Sequence, residues 1–309
     1  MSHLSMAVVK PVKYCVVDAF TDSAFGGNPA AVCLLEEDRG DEWLQAVARE
    51  LNQPVTCFLM RFSDSAGSSA ASVPRFFIRW FTRLAEVSIC GHATLAASLF
   101  IFESKLMKSE VVEFSSPSYG TLTAKRIAAA ESSPDLSKRS SHGDFDIELD
   151  FPAFSLKGLH NDDAIEVSSV SKSLNGASAM EILVSSRDIF CVVPSGEEVA
   201  EVVPNFDEIR KFSERYRGMI VTGIAPAGSG FDIISRFFCP NEGVNEDQVC
   251  GSAHCAIAPY WSKKLRKSDL VAYQASERGG VLNLHVDDKN QRVLIRGKGI
   301  VVMEGFLFV

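Results

Sequence analysis

The stretch "SICGHATLAASLF", residues 88 to 100, sets Cys90, Gly91 and His92 directly before an apolar run that reads as a buried helix. The pattern returns in "DQVCGSAHCAIAPYWSKKL", residues 247 to 265, where Cys250-Gly251-Ser252-Ala253 matches Cys90-Gly91-His92-Ala93 and again leads into a helix. From position 90 to position 250 is 160 residues, about half of the 309-residue chain. Self-similarity at that spacing predicts a duplicated domain, each copy wrapping strands around one central helix with Cys-Gly at its start. Glycine there lets backbone approach a ligand closely, and the free N–H groups of a first helical turn suit an anion such as a carboxylate. Two such starts facing one cleft would hold a small acid between them. The same field is expected to lower the pKa of Cys90 and Cys250 and make thiolate accessible near neutral pH. The plainer alternative, buried cysteines beside turn glycines, suits one motif better than a matched pair.

A chain of this length with 46% hydrophobic residues can bury a large core and reads as two domains more readily than one. Thirty-one basic residues against 39 acidic ones give a net charge of −8, with no long basic stripe. That balance argues against nucleic acid or an anionic membrane surface as a partner and leaves a small molecule. No apolar run reaches the roughly 20 residues of a membrane span, and "MSHLSMAVVKPVKY" lacks the apolar core of a signal peptide. A soluble, cytoplasmic protein is expected. The eight cysteines lie in apolar strand-like and helix-like segments, which speaks against a disulfide framework. No C-x-x-C or H-x-x-x-H spacing occurs, and Cys250, His254 and Cys255 lack a second ligand pair, so neither metal nor cofactor is expected.

Strand signals run over 13–19, 30–35 and 76–82, and a helical one over "DEWLQAVAREL", opened by acidic residues that suit a helix N-terminus. Strands recur at "FDIELDF", "AMEILVSS", "DIFCVVP", "MIVTGIA" and "DIISRFF". The small, polar segment 63–74 reads as a loop, and 131–144 as a solvated linker between the halves. The expected domains are therefore 13–130 and 145–298, with 299–309 open as a last strand that completes the first.

The stretches "VDAFTDSAFGGNPAAVCLL", "RWFTRLAEVSICGHATLA", "GVNEDQVCGSAHCAIAPYW" and "VLIRGKGIVVMEG" together resemble the PhzF, or phenazine biosynthesis-like, family from about Lys13 to Val309. The resemblance implies an α/β (α+β) fold of the diaminopimelate epimerase type. Two similar domains would each curl a mostly antiparallel sheet around a central helix, with the site between them. It also implies cofactor-free isomerisation by proton transfer, and a homodimer. His92 and the Gly91 backbone match the family's first-domain site, and Asp247, Gly251 and Ser252 its second-domain site; Asn28, in the Gly-Gly-Asn-Pro turn, joins the expected substrate contacts. The family's general base, a glutamate in a segment resembling N-x-S-E-T-x-F, has no counterpart. In "NQPVTCF", Asn52, Thr56 and Phe58 are in register and Val55 stands where the glutamate belongs. Valine carries no titratable proton. Two family prolines are likewise replaced, by Arg83 and Gln248.

Three readings stand open. In the first, the protein is an epimerase or racemase of a small carboxylate such as an amino acid, with Cys90 and Cys250 as opposed bases at positions resembling the catalytic cysteines of diaminopimelate epimerase. In the second, a PhzF-type isomerase survives with Asp247 or His92 carrying the proton, Glu86 being a further substitute if its loop folds inward. In the third, the cleft only binds a small acid or a protein. An ion pair of Asp232 with Arg236 is expected beside a strand of the second domain.

Overall fold

The computed structural model describes residues 10–62, 73–104, 109–128, 145–159, 165–212 and 215–309; the expected linker at 131–144 and most of the 63–74 loop lie outside them. The first half runs β1 (Val12–Ala19), β2 (Asn28–Leu35), α1 (Asp41–Leu51), β3 (Val55–Arg61), β4 (Arg75–Phe81), β5 (Glu86–Val87), α2 (Gly91–Glu103), β6 (Val111–Ser116), β7 (Gly120–Ala128) and β8 (Phe145–Pro152). The second opens with β9 (Lys157–Gly158), α3 (Val167–Ser173), β10 (Glu181–Val184), β11 (Asp188–Val192), α4 (Gly196–Glu201), α5 (Phe206–Arg210), β12 (Gly218–Ile224) and β13 (Ile233–Phe238). It continues through β14 (Glu246–Asp247), α6 (Gly251–Leu265), β15 (Asp269–Gln274), β16 (Gly280–Asp287) and β17 (Arg292–Gly297) to β18 (Gly299–Leu307).

The duplication is complete at the level of strand pairing. In the first copy β1 pairs antiparallel with β2, β2 parallel with β3, β3 antiparallel with β4, β4 parallel with β6, and β6 antiparallel with β7. The second copy repeats this sequence of senses through β10, β11, β12, β13, β15 and β16. The copies join edge to edge where β8 pairs with β17, and each is finished by a strand reached across the seam: β18 on β1, and β9 on β10. The result is one curled sheet with α2 and α6 as the two central helices.

Both helices are buried along most of their length, so their polar side chains return to their own backbone. Thr94 Oγ1 donates to the Cys90 carbonyl at 2.6 Å and Ser98 Oγ to the Thr94 carbonyl at 2.7 Å. In α6, Pro259 has no N–H to give the Cys255 carbonyl four residues earlier, and the Phe154 amide fills that vacancy at 2.8 Å. Trp261 Nε1 donates to Thr222 Oγ1 at 3.0 Å, tying the helix to β12. Among the described residues no helix is long and apolar enough to cross a membrane.

The two helix starts touch. A Cβ built on Gly91 would lie 2.7 Å from the Gly251 Cα, and one built on Gly251 would lie 3.0 Å from the Gly91 Cα. Only glycine at both positions permits this approach. Gly91→Ala should therefore cost about 1–3 kcal/mol through backbone displacement, read as a lower urea midpoint, while alanine at open Gly40 or Gly158 would meet no neighbouring atom.

Candidate active site

Around the Gly91–Gly251 contact lies a cleft that encloses about 480 Å³, counting the space at its open mouth. Its lining comes from both repeats. Pro54, Val55, Thr82, Ile89, Cys90 and His92 come from the first repeat, and Arg217, Phe237, Cys239, Glu242, Asp247, Cys250 and Ser252 from the second. The expected residues Cys90, Cys250, His92, Asp247, Gly91, Gly251 and Ser252 are thus brought together. Asn28, the first residue of β2, lies fully buried just behind them.

The two starts are built alike. Cys90 Sγ lies 3.4 Å from His92 Nδ1, and Cys250 Sγ lies 3.5 Å from Ser252 Oγ. Asn28 Nδ2 crosses between the repeats, donating to Asp247 Oδ1 at 2.5 Å and the Val249 carbonyl at 3.0 Å and lying 3.1 Å from His92 Nδ1. With two hydrogens for three acceptors, this amide holds a shared polar cluster. In the second repeat Arg217 forks onto Asp188, Nε to Oδ1 at 2.7 Å and Nη2 to Oδ2 at 3.0 Å, and its Nη1 donates to Ser252 Oγ at 3.0 Å. Behind Cys250, His254 Nδ1 lies 2.7 Å from the Cys250 carbonyl and Nε2 lies 3.3 Å from Ser235 Oγ.

The expectation of easily ionised thiols is overturned. Burial pushes Cys90 up to about 12 even though the Ala93 amide hydrogen-bonds its sulfur, and burial with the Asp247 charge pushes Cys250 well above the usual thiol range. Desolvation outweighs the helix-start field because both sulfurs lie buried. Burial also lowers His92, so that ring is neutral near pH 7 and accepts or donates a hydrogen bond without bringing charge.

Val55 opens β3 and lines the cleft with 6% of its surface exposed. Asn52 ends α1 in the left-handed conformation at φ 52°, which suits an asparagine. Glu86 turns away: it is exposed and forks with Arg79 at 2.7 and 2.6 Å, which removes it as a substitute base. Asp232 and Arg236 do not pair with each other. Asp232 accepts from Lys267 and from the Val271 amide, while Arg236 forks onto Glu246 at 2.7 and 2.8 Å, because β14 pairs beside β13. Arg83 bridges the repeats, Nη2 donating to the Gly243 carbonyl at 2.7 Å, and Gln248 Oε1 receives the Arg278 amide at 3.0 Å. Sequence reasoning missed Arg217, Asp188, Cys239 and Glu242. Among the described residues no cluster of three His, Cys, Asp or Glu side chains is placed to hold a metal ion.

A doubled sheet wound on two central helices defines a twin-repeat fold that a solved probable proline racemase from Agrobacterium radiobacter shares. That structure superimposes with a TM-score of 0.58 over 95% of this chain and 92% of its own at 9% identity, a likeness of fold alone. Within this fold, the chain belongs to the phenazine biosynthesis-like (PhzC/PhzF) family, whose model matches residues 17–305. It is 36% identical over 297 residues to an uncharacterized isomerase of Halalkalibacterium halodurans, covering 95% of this chain and 97% of that one. It is 34% identical over 303 residues to a human phenazine biosynthesis-like domain-containing protein, covering 94% and 97%. A PhzF-family crystal structure from Enterococcus faecalis matches with a TM-score of 0.78 and 31% identity over 97% of this chain and all of that one.

Proposed function

We propose that the protein is a cofactor-independent isomerase that moves a proton at a carbon beside a carboxylate, with an amino acid as the substrate class. The isomerase name of its Halalkalibacterium relative supports the reaction type. The observation that carries the reading is the Gly91–Gly251 contact, which sets two helix starts and their thiols around one small space. The amides of Gly91, His92, Gly251 and Ser252 have no protein acceptor among the described residues, so they are available to a carboxylate and to the negative charge that grows as the proton leaves. Asp247 and Glu242 on the lining offer an ammonium group its counter-charge.

Cys90 and Cys250 are the proton carriers. Both are thiols at rest, so one must ionise to become the base, and its proton goes to solvent, while His92 Nδ1, 3.4 Å from Cys90 Sγ, stays neutral and holds the sulfur in place. The thiolate then removes the carbon-bound proton and the thiol opposite delivers its own to the other face, leaving the thiolate on the second sulfur. The protein is also expected to be a homodimer; a single concentration-independent monomer mass in sedimentation would remove that expectation.

The test of reaction type is a racemisation assay on a panel of L-amino acids. Inversion by the native protein supports the reading, and none with any of them favours a binding-only cleft. The second reading, a PhzF-type isomerase with its base replaced, rests on the position of Val55 at the cleft wall. Val55→Glu should create or raise isomerisation of a cyclic diene acid by about 10²-fold or more. A folded, ligand-binding variant without gain would mean that the cleft has diverged more widely.

A further inference from the structure

Every cleft-lining side chain that carries charge at neutral pH is an acid except one. Asp247 and Glu242 bring two acidic side chains to the lining, and Arg217 is the cation among the described lining residues. An entering carboxylate meets repulsion from both acids, so it needs directed N–H donors to be held there.

Three features fit Arg217 to an anion. It is held rigidly, forked onto Asp188 and packed over the Phe237 ring with its guanidinium carbon 4.6 Å from the centroid. It is not used up: three of its five N–H groups go to Asp188 and Ser252, and the other two have no partner among the described residues. It also occupies a place the duplication makes special. Arg217 directly precedes β12, and Pro54 directly precedes β3, the equivalent strand, so matching points of the two repeats line one cleft with an arginine from one repeat and a proline from the other.

We infer that Arg217, oriented by Asp188, receives the substrate's carboxylate through its two spare N–H groups, beside the first-turn amides of α6. Asp188 does not touch the ligand and acts as a positioning residue. Because the pair is net neutral, it recognises the anion by directed hydrogen bonds, and it orients the carboxylate so that the adjacent carbon lies between the two sulfurs. This inference rests on the carboxylate-isomerase reading for its catalytic consequence, though not for binding.

The test uses furan-2-carboxylate, whose planar ring imitates a carbon that has lost its proton, against neutral furan-2-carboxamide, each titrated into the full-length protein by calorimetry. The native protein should prefer the carboxylate by about tenfold or more, as expected for charge-assisted hydrogen bonds. The double variant Asp188→Leu/Arg217→Met, which exchanges the buried pair for apolar side chains, should lose most of that preference, keeping only what the first-turn amides supply. Arg217→Lys keeps a charge against Asp188 but loses the fork, and should weaken carboxylate binding about tenfold with amide binding unchanged; it decides the matter if the double variant does not fold. No carboxylate preference in the native protein, or full preference in either folded variant, overturns the inference. Arg217-dependent binding without isomerisation of any amino acid would sink the isomerase reading alone, whereas isomerisation at native KM in Arg217→Lys would sink this inference alone.

Discussion

Arg217→Met should lower the stability of the protein by about 3–5 kcal/mol, seen as a large drop in the urea midpoint at unchanged slope. Asp188 is 1% exposed, and its carboxylate is satisfied by the Arg217 fork alone among the described side chains. Removing the arginine leaves a buried charge that water cannot reach, whereas removing both members leaves none. Asp188→Leu/Arg217→Met should therefore be markedly more stable than the single variant. A single variant as stable as the double would show that water or another group already compensates Asp188.

The second large effect is on rate. Cys90→Ala and Cys250→Ala should each reduce racemisation by about 10²–10⁴-fold, the usual contribution of a positioned proton carrier. Both side chains are small and sit at helix starts, so the fold should tolerate alanine, and a circular dichroism melt checks this. The pH dependence has a definite sign. Burial holds Cys90 at about 12, so the reactive thiolate becomes more abundant as pH rises. Since kcat/KM reports groups of the free enzyme, it should climb between pH 6 and 9. A flat profile there would mean that a thiol is not the base.

The central device of the fold was legible because it is local and repeated. Cys-Gly before an apolar helix is visible in thirteen residues, and its recurrence half a chain later announces the duplication without knowledge of any strand pairing. The return of the last strand to the first copy was open from the sequence, whereas the β8–β17 seam and the passage of β9 to β10 depend on long-range pairing that no spacing encodes. Arg217 and Asp188 were invisible for the same reason. They are 29 residues apart in the chain and meet because β11 and β12 pair in parallel with Asp188 opposite Gly218. An arginine directly before one apolar strand and an aspartate opening another were the available signal, and both also read as ordinary strand ends. The thiol pKa values went astray because the helix-start field was weighed without the depth of burial, which only packing reveals. Val55 was legible in register, but that it faces the cleft follows from β3 pairing beside β2.

The most direct measurement of the account is isotopic. The protein is given an L-amino acid that it inverts, in deuterated water, and the reaction is stopped within the first turnovers, before product returns. Two opposed sulfurs predict D-product carrying solvent deuterium at the inverted carbon, while the remaining L-substrate stays protiated, because the base that removes the proton is not the acid that delivers the new one. Deuterium in both enantiomers from the outset would place a single exchanging base in the cleft and contradict the two-thiol account.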